Sequence, residues 1–117
     1  MPPKPGTEPA PLTPALHHVL LALLQGERHG YAIMQDVERI TDGTLRMGPG
    51  TLYGALKRLL ESGLVEEAGE RDDPAVDERR RYYRITGTGR SAIAAETARL
   101  RRLVDFAHDR LRAGLRA

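Results

Sequence analysis

Leu16, Val19, Leu20 and Leu23 recur at three- and four-residue steps, as do Ile33, Val37 and Ile40, and then Leu52, Leu56, Leu59 and Leu60. Apolar stripes at this spacing predict three successive amphipathic helices. Thr13-Pro14 marks the first start, with Thr as N-cap and Pro in the first helical position, and Gly26 ends that helix. Residues 29–41 carry the second helix, with His29 read as a helix-start residue and Asp42-Gly43 as the turn after it. Residues 48–64 carry the third, with Gly63 as its C-terminal stop. Beyond it the period shortens to two. Leu64 to Gly69 reads as a strand, Glu70 to Glu78 as a polar turn containing Pro74, and Arg79 to Thr86 as a second strand. Alternation puts Tyr83 and Ile85 on one side of that strand and Tyr82 and Arg84 on the other.

From Thr86 to about Leu111 the helical period returns. Ile93, Thr97, Leu100, Val104, Ala107 and Leu111 alternate by four and three residues, a heptad seam, and Leu103 and Phe106 widen it. A small domain has no surface to cover so long an apolar stripe, so the seam predicts a homodimer. The expected dimer-interface residues are Ile93, Leu100, Leu103, Val104, Ala107 and Leu111. The fold class is therefore mostly α with a small β-hairpin: a winged helix-turn-helix plus a long C-terminal dimerisation helix. Residues 1–11 hold five of the eight prolines and read as a disordered tail. Residues 12–86 read as the winged helix-turn-helix and residues 87–113 as the C-terminal helix.

The third helix has two unlike faces. At about 100° per residue, Leu56, Leu59 and Leu60 share the side of Leu52, while Thr51, Gly54, Lys57, Arg58 and Glu61 point away. An apolar back with a small, hydroxyl-bearing and basic front suits the DNA major groove. Small residues permit close approach, and Lys and Arg find phosphates and guanine edges. Gly54 is costly in an exposed helix interior by about 1 kcal/mol relative to Ala, which close approach of a DNA backbone would explain. Thr51 also reads as a helix cap. Tyr53 sits between the faces, either packed inward with its hydroxyl outward or turned to DNA.

Composition narrows the classes. One hundred and seventeen residues make one domain. With no Cys, disulfides, thiolate metal sites and Cys nucleophiles are excluded, and a reducing cytoplasm fits. The longest aliphatic run, Val19 to Leu24, is too short to span a membrane. Net charge is only +2, so distribution decides: Arg79, Arg80, Arg81 and Arg84 cluster in the second strand. They face two classes of partner, DNA phosphate or the acids Glu66, Glu67, Asp77 and Glu78. No nucleophile–base pair, phosphate-cradling Gly loop or metal-ligand spacing is present, so no enzyme activity, cofactor or metal is expected. His17 and His18 are adjacent and diverge on a helix. Asp105, His108 and Asp109 read as a solvated helix end.

His29-Gly30-Tyr31-Ala32-Ile33, the stretch Gly48-Pro49-Gly50-Thr51-Leu52-Tyr53-Gly54-Ala55-Leu56-Lys57-Arg58-Leu59, Gly63-Leu64-Val65, and Arg80-Arg81-Tyr82-Tyr83-Arg84-Ile85-Thr86 followed by Gly89-Arg90 closely resemble the PadR family of bacterial transcriptional regulators. The resemblance covers residues 12 to 105 and is to the short subgroup, where one C-terminal helix serves for dimerisation. It implies a dimeric repressor on a roughly palindromic operator near its own or a neighbouring promoter, with half-sites about one or two helical turns apart. By similarity, the helix with Thr51, Tyr53, Gly54, Lys57 and Arg58 enters the major groove and Tyr31 approaches a phosphate. The basic wing strand, Arg79, Arg80 and Arg81, flanks the minor groove. Acids at the tip (Asp72, Asp73, Asp77, Glu78) depart from that picture, so only the shoulders, Arg71 and Arg79 to Arg81, are expected on the backbone. Expected partners are double-stranded DNA and a second copy of the chain, with no membrane. A small-molecule effector is left unspecified. The competing class is a winged helix used only for protein–protein assembly, which predicts no specific duplex binding.

Overall fold

In the computed structural model, which describes residues 12–73 and 78–115, the element order is α1 Pro14–Leu23, β1 Arg28–His29, α2 Gly30–Ile40, α3 Pro49–Glu61, β2 Val65–Asp73, β3 Glu78–Ile85 and α4 Gly87–Leu115. The proline-rich segment 1–11 and the wing-tip residues 74–77 lie outside the described residues. Thr13 caps α1 as expected, its hydroxyl accepting from Leu16 N at 3.3 Å. The turn between α2 and α3 is closed by Thr41, whose Oγ1 donates to Val37 O at 2.8 Å and accepts from Leu45 N at 3.2 Å. Asp42 adopts a positive φ there, a conformation that Asp tolerates better than most side chains.

The helices enclose one core. Val19, Leu20 and Leu23 of α1, Ile33 and Val37 of α2, and Leu52, Leu56 and Leu59 of α3 are all fully or almost fully buried. Each contributes about 1.5–3 kcal/mol relative to an exposed position. Val65, Tyr83 and Ile85 close the core from the wing root. The predicted alternation of β3 holds, with Tyr83 and Ile85 inward and Arg84 outward.

Three features of the wing differ from the expectation. The sheet has three strands in the order β1-β3-β2, because Arg28 and His29 pair with Tyr83 and Tyr82. A two-residue strand leaves no periodic signal, and its pairing is decided only once α1 and α2 dock on the hairpin. The strands also run further into the expected turn, to Asp73 on one side and from Glu78 on the other. Cross-strand ion pairs compensate the polar composition there. Third, Glu67 pairs with Tyr83 but Glu70 with Arg81, so β2 carries one extra residue. Gly69, at φ 93°, supplies the left-handed conformation of this bulge, which bends the wing relative to its root.

Thr86 joins the wing to the last helix. Its Oγ1 donates to Gly63 O at 2.7 Å and accepts from Gly89 N at 3.0 Å, capping α4 against the end of α3. α4 is 29 residues long and ends at Leu115, two residues beyond the expected 87–113. It leaves the domain after Leu100: every residue from 101 to 115 is exposed in the single chain. The molecule therefore extends 61 Å along its longest axis. Ile93 is a correction to the expected seam. It is only 4% exposed and belongs to the core of its own chain, because the first four turns of α4, to Leu100, lie against the domain before the helix projects.

Candidate nucleic-acid interface

α3 presents the face that the sequence predicts. Leu52, Ala55, Leu56 and Leu59 are buried, while Thr51, Gly54, Lys57, Arg58 and Glu61 are exposed. Its cap is Gly48 rather than Thr51, followed by Pro49, with no side-chain hydrogen bond to the first turn. Thr51 is thus an exposed hydroxyl on the first turn, with no hydrogen bond among the described residues. The first-turn amides beside it have no side-chain cap, an arrangement suited to an anion. A β-carbon added to Gly54 would meet nothing within 4 Å, so no contact inside the chain requires glycine. Lys57 and Arg58 follow on the same surface, and among the described residues neither forms an ion pair.

Tyr53 resolves the choice left open by its position. Its ring is 52% exposed and its hydroxyl reaches the start of α2. A β-carbon on Gly30 would stand 2.6 Å from that hydroxyl and 3.3 Å from Leu52 Cδ2, so Gly30 makes room for the contact between α2 and α3. Tyr31, one residue on, is 53% exposed. The Arg80 guanidinium lies 5.5 Å from its ring centroid, a cation–π contact across to the wing.

Between these tyrosines and the wing runs an open cleft of about 580 Å³. It gathers Tyr31, Tyr53, Arg79, Arg80 and Arg81, five of the nine residues expected on DNA. The other four, Thr51, Gly54, Lys57 and Arg58, lie along the outer front of α3. The expected dimer residues are elsewhere: Leu100 is half-buried, and Leu103, Val104, Ala107 and Leu111 are exposed on the projecting part of α4.

The charge of the wing is not what its arginine cluster suggests. β2 and β3 carry six acidic residues against five arginines. Arg79 pairs with Glu70 at 3.6 Å, Arg80 with Asp73 at 3.2 Å, and Arg81 with Glu67 at 3.4 Å and Glu70 at 3.3 Å. Arg84 pairs with Glu66 at 2.6 Å, and Arg71 with Glu27. Hydrogen bonding to Glu70 and the charge of Glu67 raise the pKa of Arg81, and the Arg71 hydrogen bond lowers that of Glu27. Most of these side chains are substantially exposed, and such pairs contribute about 0–1 kcal/mol each. Phosphates can displace exposed carboxylates of this kind, but the two strands carry no net positive charge of their own. On the DNA-facing side, α3 carries cations, Lys57 and Arg58, that form no ion pair among the described residues.

Sequence reading missed the connection between these parts. His29 Nδ1 accepts from Ala32 N at 3.1 Å, capping α2, and lies 3.1 Å from Arg80 NH1. The His29 ring also meets the Tyr82 ring edge to face at 5.4 Å, and the Arg71 guanidinium covers the same Tyr82 at 4.3 Å. His29 directly before a helical run is a weak local signal for a cap. Its contact with Arg80 has no local signal at all.

The profile of the transcriptional regulator PadR-like family matches residues 19–95. An uncharacterised 37.1 kDa protein in transposon TN4556 of Streptomyces fradiae is 39% identical over 85 residues, which are 73% of this chain and 22% of that protein. The chain thus spans 22% of that relative's length. The transcriptional regulator Rv3488 of Mycobacterium tuberculosis is 36% identical over 87 residues, 74% of this chain and 75% of that one. Among solved structures, Bacillus subtilis PadR in complex with operator DNA matches with a TM-score of 0.62 at 19% identity, covering 73% of this chain and 47% of that chain. That likeness establishes the shared winged-helix fold.

Proposed function

The chain belongs to the PadR-like family of transcriptional regulators, and from that premise we propose that it binds a pseudo-palindromic DNA operator as a homodimer and represses its own or a neighbouring promoter. The observation that carries this reading is the front of α3, where Lys57 and Arg58, without an ion pair among the described residues, follow the open surface of Gly54. A helix interior has no folding reason to carry glycine there, whereas a groove-bound helix gains close approach from it. Tyr31, Tyr53 and the shoulders Arg79 to Arg81 contact the backbone beside the groove and set orientation. Leu103, Val104, Ala107 and Leu111 meet the same residues of a second α4. A shallow apolar groove lined by Leu24, Ala94, Thr97 and Ala98 continues that surface toward the domain. The work is done in the cytoplasm, where the DNA is.

Selection of duplexes from a random-sequence pool by the purified chain, followed by a salt titration of the enriched duplex, tests the proposal. An enriched sequence with two-fold symmetry, bound with affinity that falls steeply as salt rises, is the expected result. Failure to enrich any duplex favours protein–protein assembly instead.

A further inference from the structure

We propose that His29 is a positioning residue of the DNA-binding surface, whose single neutral nitrogen caps α2 and restrains the wing through Arg80, so that a proton on that nitrogen releases both and weakens DNA binding. The inference rests on the DNA-binding reading above.

The geometry carries it. Nδ1 receives Ala32 N–H and faces an Arg80 guanidinium nitrogen, each at 3.1 Å. A lone pair that accepts hydrogen bonds belongs to unprotonated nitrogen, so the proton of the neutral ring sits on Nε2. The Arg80 guanidinium is in turn held over Tyr31 and beside Asp73. One imidazole thus joins the helix that presents Tyr31 to the strand that presents Arg79 to Arg81. β1 keeps the ring in place by pairing His29 with Tyr82.

A proton on Nδ1 changes every one of these contacts in the same direction. The cap of α2 loses its acceptor. The new positive charge stands at the positive end of the helix and against Arg80. The charged groups around His29 are Arg80 on β3, Asp73 on β2, Arg28 on β1 and Asp36 on α2. Asp73 and Asp36 favour the proton. Burial, Arg80 and Arg28 oppose it, and the outcome is a pKa below the ordinary 6.5. The neutral form is therefore the resident form at neutral pH, and the switch acts only below the ordinary imidazole range.

The sign separates this from a general charge effect. Protonating histidines on a DNA-binding surface ordinarily adds positive charge and strengthens binding to phosphate. Here the expected effect is opposite: affinity for the selected duplex falls from about pH 8 to about pH 5.5, by less than about tenfold because a pKa below 6.5 leaves part of the population neutral there.

The test uses the full chain and the duplex enriched at about pH 8. His29→Asn keeps an acceptor at the cap without titrating, and it is expected to bind as the parent does at high pH and to lose the acid weakening. His29→Ala is expected to bind weakly at both pH values. Nitrogen NMR of the parent imidazole, independent of DNA, is expected to show Nε2–H at high pH. A flat or strengthening profile in the parent overturns the role of His29 and leaves DNA binding standing. An acid weakening that persists in His29→Asn, or an Nδ1–H tautomer, likewise overturns it. Absence of duplex binding at any pH overturns both readings.

Discussion

The Tyr53 hydroxyl occupies the space where a side chain on Gly30 would begin, 2.6 Å from the ideal β-carbon position. Two helices meet there with no side chain on one of them, and an exposed ring of α3 is set by the absence of an atom on α2. In Gly30→Ala the far end of a flexible ring can give way, and alanine gains up to about 1 kcal/mol of helix preference. The expected outcome is a melting midpoint near that of the parent with a displaced Tyr53 and weaker binding to the selected duplex. Thermal unfolding and fluorescence anisotropy on the same samples check it. Undiminished affinity would show that the Tyr53 position is immaterial to binding.

Gly54→Ala separates stability from function more sharply. With open space around Gly54, the substitution is expected to stabilise the chain by about 0.5–1 kcal/mol. It should also weaken DNA binding, because the added methyl stands where the groove approaches. Denaturant titration and duplex binding are the measurements. An alanine variant both more stable and equally tight in binding removes the close-approach argument.

Lys57 and Arg58 are exposed and unpaired among the described residues, so their removal costs the fold little. Lys57→Ala with Arg58→Ala is expected to weaken duplex binding by more than about 1 kcal/mol and to reduce its salt dependence. The corresponding change at Arg81, which already pairs with Glu67 and Glu70, is expected to have a smaller effect. Equal losses from α3 and the wing would place the main electrostatic contact elsewhere.

Leu103→Asp with Val104→Asp should yield folded monomers, since both side chains are exposed in the single chain and core packing does not involve them. Sedimentation velocity reads the mass and circular dichroism the helix content. A dimer that survives both charges would place the interface away from this stretch of α4.

Glu96 gives a pH prediction for stability. Only 5% exposed, it accepts from Arg99 Nε at 3.2 Å. The Arg99 hydrogen bond first, and the Leu12 backbone and His17 further, hold its carboxyl below the ordinary 4.5. Folding that lowers an acid pKa is favoured above the unfolded value and loses that contribution as pH falls through the folded one. The melting midpoint should therefore drop below about pH 4.5, and less so in Glu96→Gln. Parallel curves for the two proteins would assign the acid sensitivity to other carboxylates.

The helices, their order and the two faces of α3 were legible because they depend on residues three or four apart. Thr13 as a cap, Gly63 as a stop and the inward Tyr83 and Ile85 follow from equally local rules. Ile93 was misplaced for an instructive reason. A heptad pattern records that a position is apolar, not whether its partner is another copy or its own domain. The arginines of β3 were legible as a cluster, but their carboxylate partners on β2 depend on a register that Gly69 shifts by one residue.

The amino-acid sequence by itself determined the three-helix and wing order, the apolar back and basic front of α3, and a last helix with more apolar surface than the domain can cover. Periodicity, capping and turn chemistry are short-range, and these features need nothing else. Tertiary structure alone decided that β1 joins the sheet, that the wing neutralises most of its own charge, and that His29 serves both α2 and Arg80. His29 and Arg80 are 51 residues apart. Contacts at that separation form only when the whole core closes and brings the start of α2 against β3.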